Sequence, residues 1–129
     1  MFPTKVINLL IVDDSSLTRE AIEDVFSDNF FAIHQASDGF EALEKVRAIR
    51  PDIITMDLTM QPMGGIEAIT EIKKIHKETK ILVVSALGDK SDIMESIKRG
   101  AVGFLKKPIT NAALKDAMEQ ILEGMKVDL

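Results

Sequence analysis

Five times along the chain a short, β-rich apolar run is followed by a longer segment whose apolar residues recur at helical spacing. This alternation limits the possible folds more than any other feature. Residues 6–12 read as a buried strand, and residues 15–27 place Leu17, Ala21, Ile22 and Val25 on one helical face. Residues 31–35 form a weaker second strand. Asp38-Gly39-Phe40-Glu41 has the form of a capping box. The helix it opens carries Ala42, Leu43, Val46 and Ile49 on one side and stops before Pro51, which cannot extend it. Residues 52–56 are the third strand. A loop with Pro62, Gly64 and Gly65 then leads to a helix bearing Ile66, Ile69, Ile72 and Ile75. Residues 80–84 are the fourth strand, ending at Ser85-Ala86. In the helix over 91–99, Ile93 and Ile97 face inward, and Lys98-Arg99-Gly100 closes it with cations and a residue tolerant of positive φ. Residues 102–105 are a short fifth strand broken by Lys107-Pro108. Thr110 or Asn111 caps a last helix that turns Leu114, Ala117, Met118, Ile121 and Leu122 inward.

Five strand–helix units with short connections predict an α/β fold, a parallel sheet with helices on both faces. The length of 129 residues suits one domain over 1–129, with its core at about 5–124. No long linker, repeat or low-complexity tract divides it. Apolar residues make up 46% and charged residues 29%, which excludes a disordered or collagen-like chain. A net charge of −5 argues against general binding to nucleic acid or anionic membranes, both of which need accumulated Lys and Arg. With no cysteine there is neither a disulfide framework nor a thiolate metal site. The apolar run at 6–12 is too short to span a membrane and lacks the flanks of a signal peptide, so a cytoplasmic protein is expected.

In open α/β sheets, ligands bind beyond the carboxyl ends of the strands. Here the notable polar residues fall at those ends: Asp13 and Asp14 after strand one, Asp57 after strand three, Ser85 after strand four, Lys107 after strand five. Strand two contributes nothing comparable. This pattern fits a doubly wound, flavodoxin-like (βα)5 sheet of order 2-1-3-4-5. Three carboxylates in one pocket repel one another unless a cation offsets them. With no His or Cys nearby, the donor set suits a hard, oxygen-seeking ion such as Mg²⁺, with Mn²⁺ an acceptable substitute. Lys107 offers a point charge and Ser85 a hydroxyl to phosphate oxygens. A carboxylate in these surroundings can attack a phosphoryl group and form an acyl phosphate.

The segments Leu10-Ile11-Val12-Asp13-Asp14-Ser15, Met56-Asp57-Leu58-Thr59-Met60, Val84-Ser85-Ala86 and Phe104-Leu105-Lys106-Lys107-Pro108 together resemble the response-regulator receiver family, in its CheY-like single-domain form. The resemblance covers roughly residues 5 to 124. It implies that Asp57 is the phosphoacceptor and a metal ligand, that Asp14 binds Mg²⁺ directly and Asp13 through water, and that the Thr59 backbone carbonyl completes the ligation. It matches Lys107, rather than Lys106, to the family lysine, with a cis bond to Pro108. It makes Ser85 and Phe104 a switch pair, the ring moving inward as the hydroxyl moves to the phosphate. The implied readout face is the fourth helix, fifth strand and fifth helix, including Ile93, Met94, Lys98, Lys106 and Lys115. The implied partners are a histidine kinase or phosphotransfer protein and a downstream target protein, with the chain itself a monomer and not an enzyme.

The loop Met60-Gln61-Pro62-Met63-Gly64-Gly65 departs from the family's usual Met-Pro-x-Met-Asp-Gly, and its paired glycines suggest a permissive start to the third helix. The resemblance implies that the positions two residues after the acceptor and two after the switch hydroxyl tune dephosphorylation; here they are Thr59 and Leu87, which offer no carboxylate or amide to orient an attacking water, so a long-lived phosphoryl group is expected. Taken singly, Asp13-Asp14 is an ordinary helix cap, Asp57 a turn residue, Lys107 a solvated cation, Ser85 a loop cap and Phe104 plain core. His34 and His76 read as strand and helix-surface residues. Met60, Met63, Met94, Met118 and Met125 are core filler or a soft partner surface, with filler favoured for Met118.

Within the leading reading, a chemotaxis-type regulator and a phosphorelay intermediate stand side by side. A receiver-fold adaptor that is never phosphorylated need not keep Asp13, Asp14, Asp57, Ser85 and Lys107. An aspartyl phosphohydrolase would need a second acid near its nucleophile, which Asp57-Leu58-Thr59 lacks. No Gly-x-x-x-x-Gly-Lys run marks a nucleotide loop, and no Trp or Tyr is present to stack on a flavin.

Overall fold

The apolar runs form the strands of one sheet, because residues buried on both faces can be continuously hydrophobic. A computed structural model describes residues 6–27 and 30–125, so the expected span 1–129 reaches beyond the described residues at both ends. The strands are β1 (Ile7–Val12), β2 (Phe31–Ala36), β3 (Ile53–Met56), β4 (Lys80–Ser85) and β5 (Gly103–Lys106). Between and after them lie α1 (Ser16–Phe26), α2 (Gly39–Ile49), α3 (Gly65–Ile75), α4 (Lys90–Lys98) and α5 (Asn111–Gly124). All strand pairs are parallel, in the order β2-β1-β3-β4-β5, as the polar strand ends predict.

Side-chain alternation along the strands divides the core in two. Ile7, Leu9, Ile11, Ile53, Leu82 and Val84 face α1 and α5, where they meet Ile22, Phe26, Leu114 and Met118. Leu10, Val12, Ile54, Met56, Ile81 and Val83 face the other side, against Ala42 and Val46 of α2 and Ile69 and Ile72 of α3. Met60 and Met63 are buried beside this second cluster and Met118 lies in the first, so these three are filler, whereas Met94 is exposed.

Local signals act as their chemistry predicts. The Asp38 carboxylate accepts from the Glu41 N–H at 2.9 Å, and the Glu41 carboxylate reaches back to the Ser37 N–H at 2.6 Å. At the end of α4, Gly100 has φ 122°. Its N–H bonds the Ile97 carbonyl, and the Ala101 N–H bonds that of Ser96, the paired return that satisfies a helix end. Thr110, rather than Asn111, caps α5, accepting from the Ala113 N–H at 3.0 Å.

Two expectations are overturned and a third is narrowed. Leu17 is 77% exposed and Ala21 is also exposed. The inward face of α1 carries Ile22 and Phe26, while Leu17 and Ala21 border an open groove of about 570 Å³ that runs beside Pro108, Ile109 and Leu114. On α4, Ile97 is 52% exposed and Ile93 only half-buried; the buried residue is Ser96, whose hydroxyl donates to the Asp92 carbonyl at 2.8 Å. Its polarity is met within the helix, so a small residue can sit at the contact at little cost. His76 is only partly at the surface. Its side chain is 13% exposed, with Nε2 at 3.1 Å from the Pro51 carbonyl and Nδ1 at 3.0 Å from Arg50 Nη2, because the ends of α2 and α3 converge there.

Candidate functional site

Backbone bonds continue the ladders just past the ends of β1, β3 and β5. The Asp13 N–H donates to the Ala36 carbonyl, the Asp57 N–H to that of Val12, and the Lys107 N–H to that of Ser85. Residues far apart in sequence thereby meet at one end of the sheet. Asp13, Asp14 and Asp57 each offer a carboxylate oxygen, and these oxygens all lie within 4.8 Å of one another. Lys107 Nζ lies 2.8 Å from Asp13 Oδ2 and 3.9 Å from Asp57 Oδ2.

Asp13 and Asp57 are buried, whereas Asp14 is exposed. Both Asp13 oxygens are engaged, Oδ1 by the Ser15 N–H at 2.9 Å and Oδ2 by Lys107. Ser15, not Asp13 or Asp14, caps α1, accepting from the Thr18 N–H at 3.2 Å. The plain capping reading of the acidic pair is therefore not what the fold uses. Asp57 is 2% exposed. Burial pushes its carboxyl above the ordinary range, and the neighbouring Asp13 charge adds to this; Lys107, the Thr59 N–H and the Ser85 hydroxyl pull the other way. Two buried anions beside an exposed third form a site suited to a cation, and one lysine leaves most of their charge uncompensated. The set can hold a metal ion through oxygen atoms alone.

Ser85 is fully buried at the end of β4, its hydroxyl accepting from the Leu87 N–H at 3.3 Å. Phe104 is half-buried and packs against the α2–α3 core. It pairs with Val83, two residues before Ser85, so Ser85 and Phe104 share a sheet face on adjacent strands. The Lys107-Pro108 bond is cis, as the sequence resemblance predicts, and so is Gln61-Pro62.

Thr59 contacts Asp57 through its side chain as well as its backbone. Besides its backbone, its hydroxyl lies 3.3 and 3.4 Å from the two Asp57 oxygens. Arg19, which no sequence motif marks, also reaches the site: its Nη1 donates to the Asp13 carbonyl at 2.6 Å. No spacing rule announces a helix residue that turns back on the strand end preceding it.

Over residues 9–119 the sequence matches the family described as the response regulator receiver domain. The chain belongs to this family. Among curated relatives of this receiver, the chemotaxis protein CheY of Thermotoga maritima is 40% identical over 114 residues, 88% of this chain and 95% of that protein. A protein-glutamate methylesterase/protein-glutamine glutaminase of Paramagnetospirillum magneticum is 43% identical over 109 residues, 83% of this chain but 30% of that protein. Among solved structures, the receiver is similar to one of a CheX–CheY–BeF3–Mg²⁺ complex from Borrelia burgdorferi, with TM-score 0.82 and 32% identity, covering 95% of this chain and 90% of that one. Among the described residues, no helix of the receiver is long and apolar enough to cross a membrane.

Proposed function

We propose that this chain is a cytoplasmic response regulator of a two-component system, phosphorylated on Asp57 by a histidine kinase or phosphotransfer protein in a Mg²⁺-dependent reaction. Its output is phosphorylation-dependent binding of another protein, in chemotaxis-type signalling. The observation that carries this reading is the buried Asp57 carboxylate set among Asp13, Asp14, Lys107 and Ser85. The resemblance to CheY over nearly the whole of the Thermotoga protein supports the chemotaxis form over the phosphorelay form and the unphosphorylated adaptor.

Asp57, Asp14 and the Thr59 carbonyl would hold Mg²⁺ directly. Asp13, whose oxygens are already engaged, suits contact through water. The bound ion would offset charge on the transferring phosphoryl oxygens. An Asp57 carboxylate oxygen attacks the phosphorus, the bond to the donor breaks, and an acyl phosphate forms on Asp57. Lys107 turns from Asp13 toward the new phosphate, and the Ser85 hydroxyl donates to another of its oxygens. Phe104, half-buried on the same sheet face as Ser85, follows inward and alters the α4–β5–α5 face, where Met94, Ile97 and Val102 are exposed with Lys98, Lys106 and Lys115. The chain is a monomeric switch rather than an enzyme with an external substrate.

The test is incorporation of acid-labile ³²P from a small phosphodonor. Label is expected in the native protein and absent in Asp57→Ala or with EDTA; undiminished labelling of Asp57→Ala would exclude Asp57. The same label, followed after donor removal, is expected to decay slowly. Fast decay that Thr59→Asn with Leu87→Glu leaves unaltered would overturn the long lifetime.

A further inference from the structure

We propose that Arg19 is a positioning residue for the acidic metal site, held in place by a side-chain relay through Gln35 to Glu23. Arg19 and Glu23 lie one turn apart on α1, so they share a helix face, and that face is turned toward β2. Arg19 Nε donates to Gln35 Oε1 at 2.9 Å, and Gln35 Nε2 donates to Glu23 Oε1 at 2.6 Å. The guanidinium is thus pinned at one edge while its Nη1 donates to the Asp13 backbone carbonyl at 2.6 Å. All three side chains are half-buried, which limits the competition from water.

The Asp13 carbonyl belongs to the peptide joining Asp13 to Asp14, so fixing its direction fixes the plane that carries the Asp14 Cα. Asp13 is also anchored through its N–H, both carboxylate oxygens and the β1 ladder. Asp14 is exposed, so less packing holds its carboxylate than that of buried Asp13, and its aim at the site depends more on its backbone. Arg19 is the group that sets that backbone from the helix side. The rigid, planar guanidinium is suited to serving the carbonyl and the amide at once, which a lysine is not.

This inference rests on the metal reading above, and its test separates the two. Mg²⁺ alone is titrated calorimetrically into the full unphosphorylated chain, with thermal melts run alongside. Charge and position predict opposite signs. Removing a cation from beside a divalent-ion site tightens the site if Arg19 acts only through its charge. If Arg19 positions Asp14, Arg19→Ala weakens Mg²⁺ binding by roughly tenfold, the low end of what loss of a partner behind a metal ligand costs. Glu23→Ala and Gln35→Ala are expected to weaken binding less, in the same direction, and Glu23→Gln, which keeps the acceptor oxygen, to restore it. A folded Arg19→Ala that binds Mg²⁺ as tightly as the native chain, or more tightly, overturns the proposal. If Arg19→Ala does not fold, an unchanged affinity in Gln35→Ala overturns it equally. A native chain that takes up no Mg²⁺ defeats the metal reading itself.

Discussion

Asp57 keeps its proton to higher pH in the folded protein than in the unfolded chain, because burial and the Asp13 charge outweigh Lys107, Thr59 and Ser85. Between the ordinary carboxylate value of 3.8 and the raised one, the native state therefore binds more protons than the unfolded state. Stability falls as pH rises through that window, and above it the whole penalty of ionising a buried carboxyl is present. This is the reverse of a salt-bridged aspartate with a depressed pKa. Asp57→Asn, which keeps the shape and removes the charge, is accordingly expected to stabilise the metal-free protein at neutral pH by about 1 kcal/mol, or about 4 °C in Tm. The gain is expected to vanish below the ordinary carboxylate range, where native Asp57 is also protonated. Thermal melts of both proteins in EDTA across pH measure it; a lower Tm for Asp57→Asn at neutral pH would contradict this account.

At the scale of elements, the β3–α3 connection shows how a site can depend on a residue that touches no ligand. The paired glycines at 64 and 65 suggest a permissive turn, but neither has positive φ; among the described glycines only Gly100 does. Gly65 is required for a different reason. A Cβ there would collide with the Asp57 carbonyl oxygen and lie 2.8 Å from the Leu58 Cα, because the start of α3 is pressed against the end of β3 by the Gly65 N–H to Leu58 carbonyl bond. Backbone cannot yield as a flexible side chain can. Gly65→Ala is expected to cost about 3 kcal/mol, the upper part of the range for single substitutions. At Gly64 a Cβ would meet only the Leu58 and Met60 carbonyls, at 3.3 and 3.7 Å, so Gly64→Ala is expected to cost distinctly less. Urea unfolding of the two variants decides between close approach and turn flexibility: equal losses would favour the latter.

Over the whole molecule, the acidic cluster is assembled from β1 and β3 ends that only the folded sheet brings together. A metal ion held there binds the native state and not the unfolded chain, so it stabilises by mass action. Mg²⁺ at a hundred times its Kd is expected to add about 2.7 kcal/mol, raising Tm in a concentration-dependent way that EDTA reverses. Asp57→Asn is expected to start higher and to gain less, since it has lost both the repulsion and a ligand. A Tm that is independent of Mg²⁺ in the native protein would count against a metal at this site.

Much of this was legible in the sequence because it depends on local or periodic features. The five βα units follow from apolar period, and the helix limits at Asp38, Gly100 and Thr110 follow from cap chemistry that spans only a few residues. The placement of Asp13, Asp14, Asp57, Ser85 and Lys107 follows from one rule about strand ends. What the sequence could not decide is what lies beside each element once packed. Leu17 has the same period as the inward residues of α1 yet faces an open groove. Ile97 is outward while Ser96 is buried, and His76 is enclosed by the end of α2. Gly65 serves close approach rather than φ, and the Arg19–Gln35–Glu23 relay joins groups from α1 and β2. Each of these depends on distances between elements, which arise from packing and leave no periodic trace in the chain.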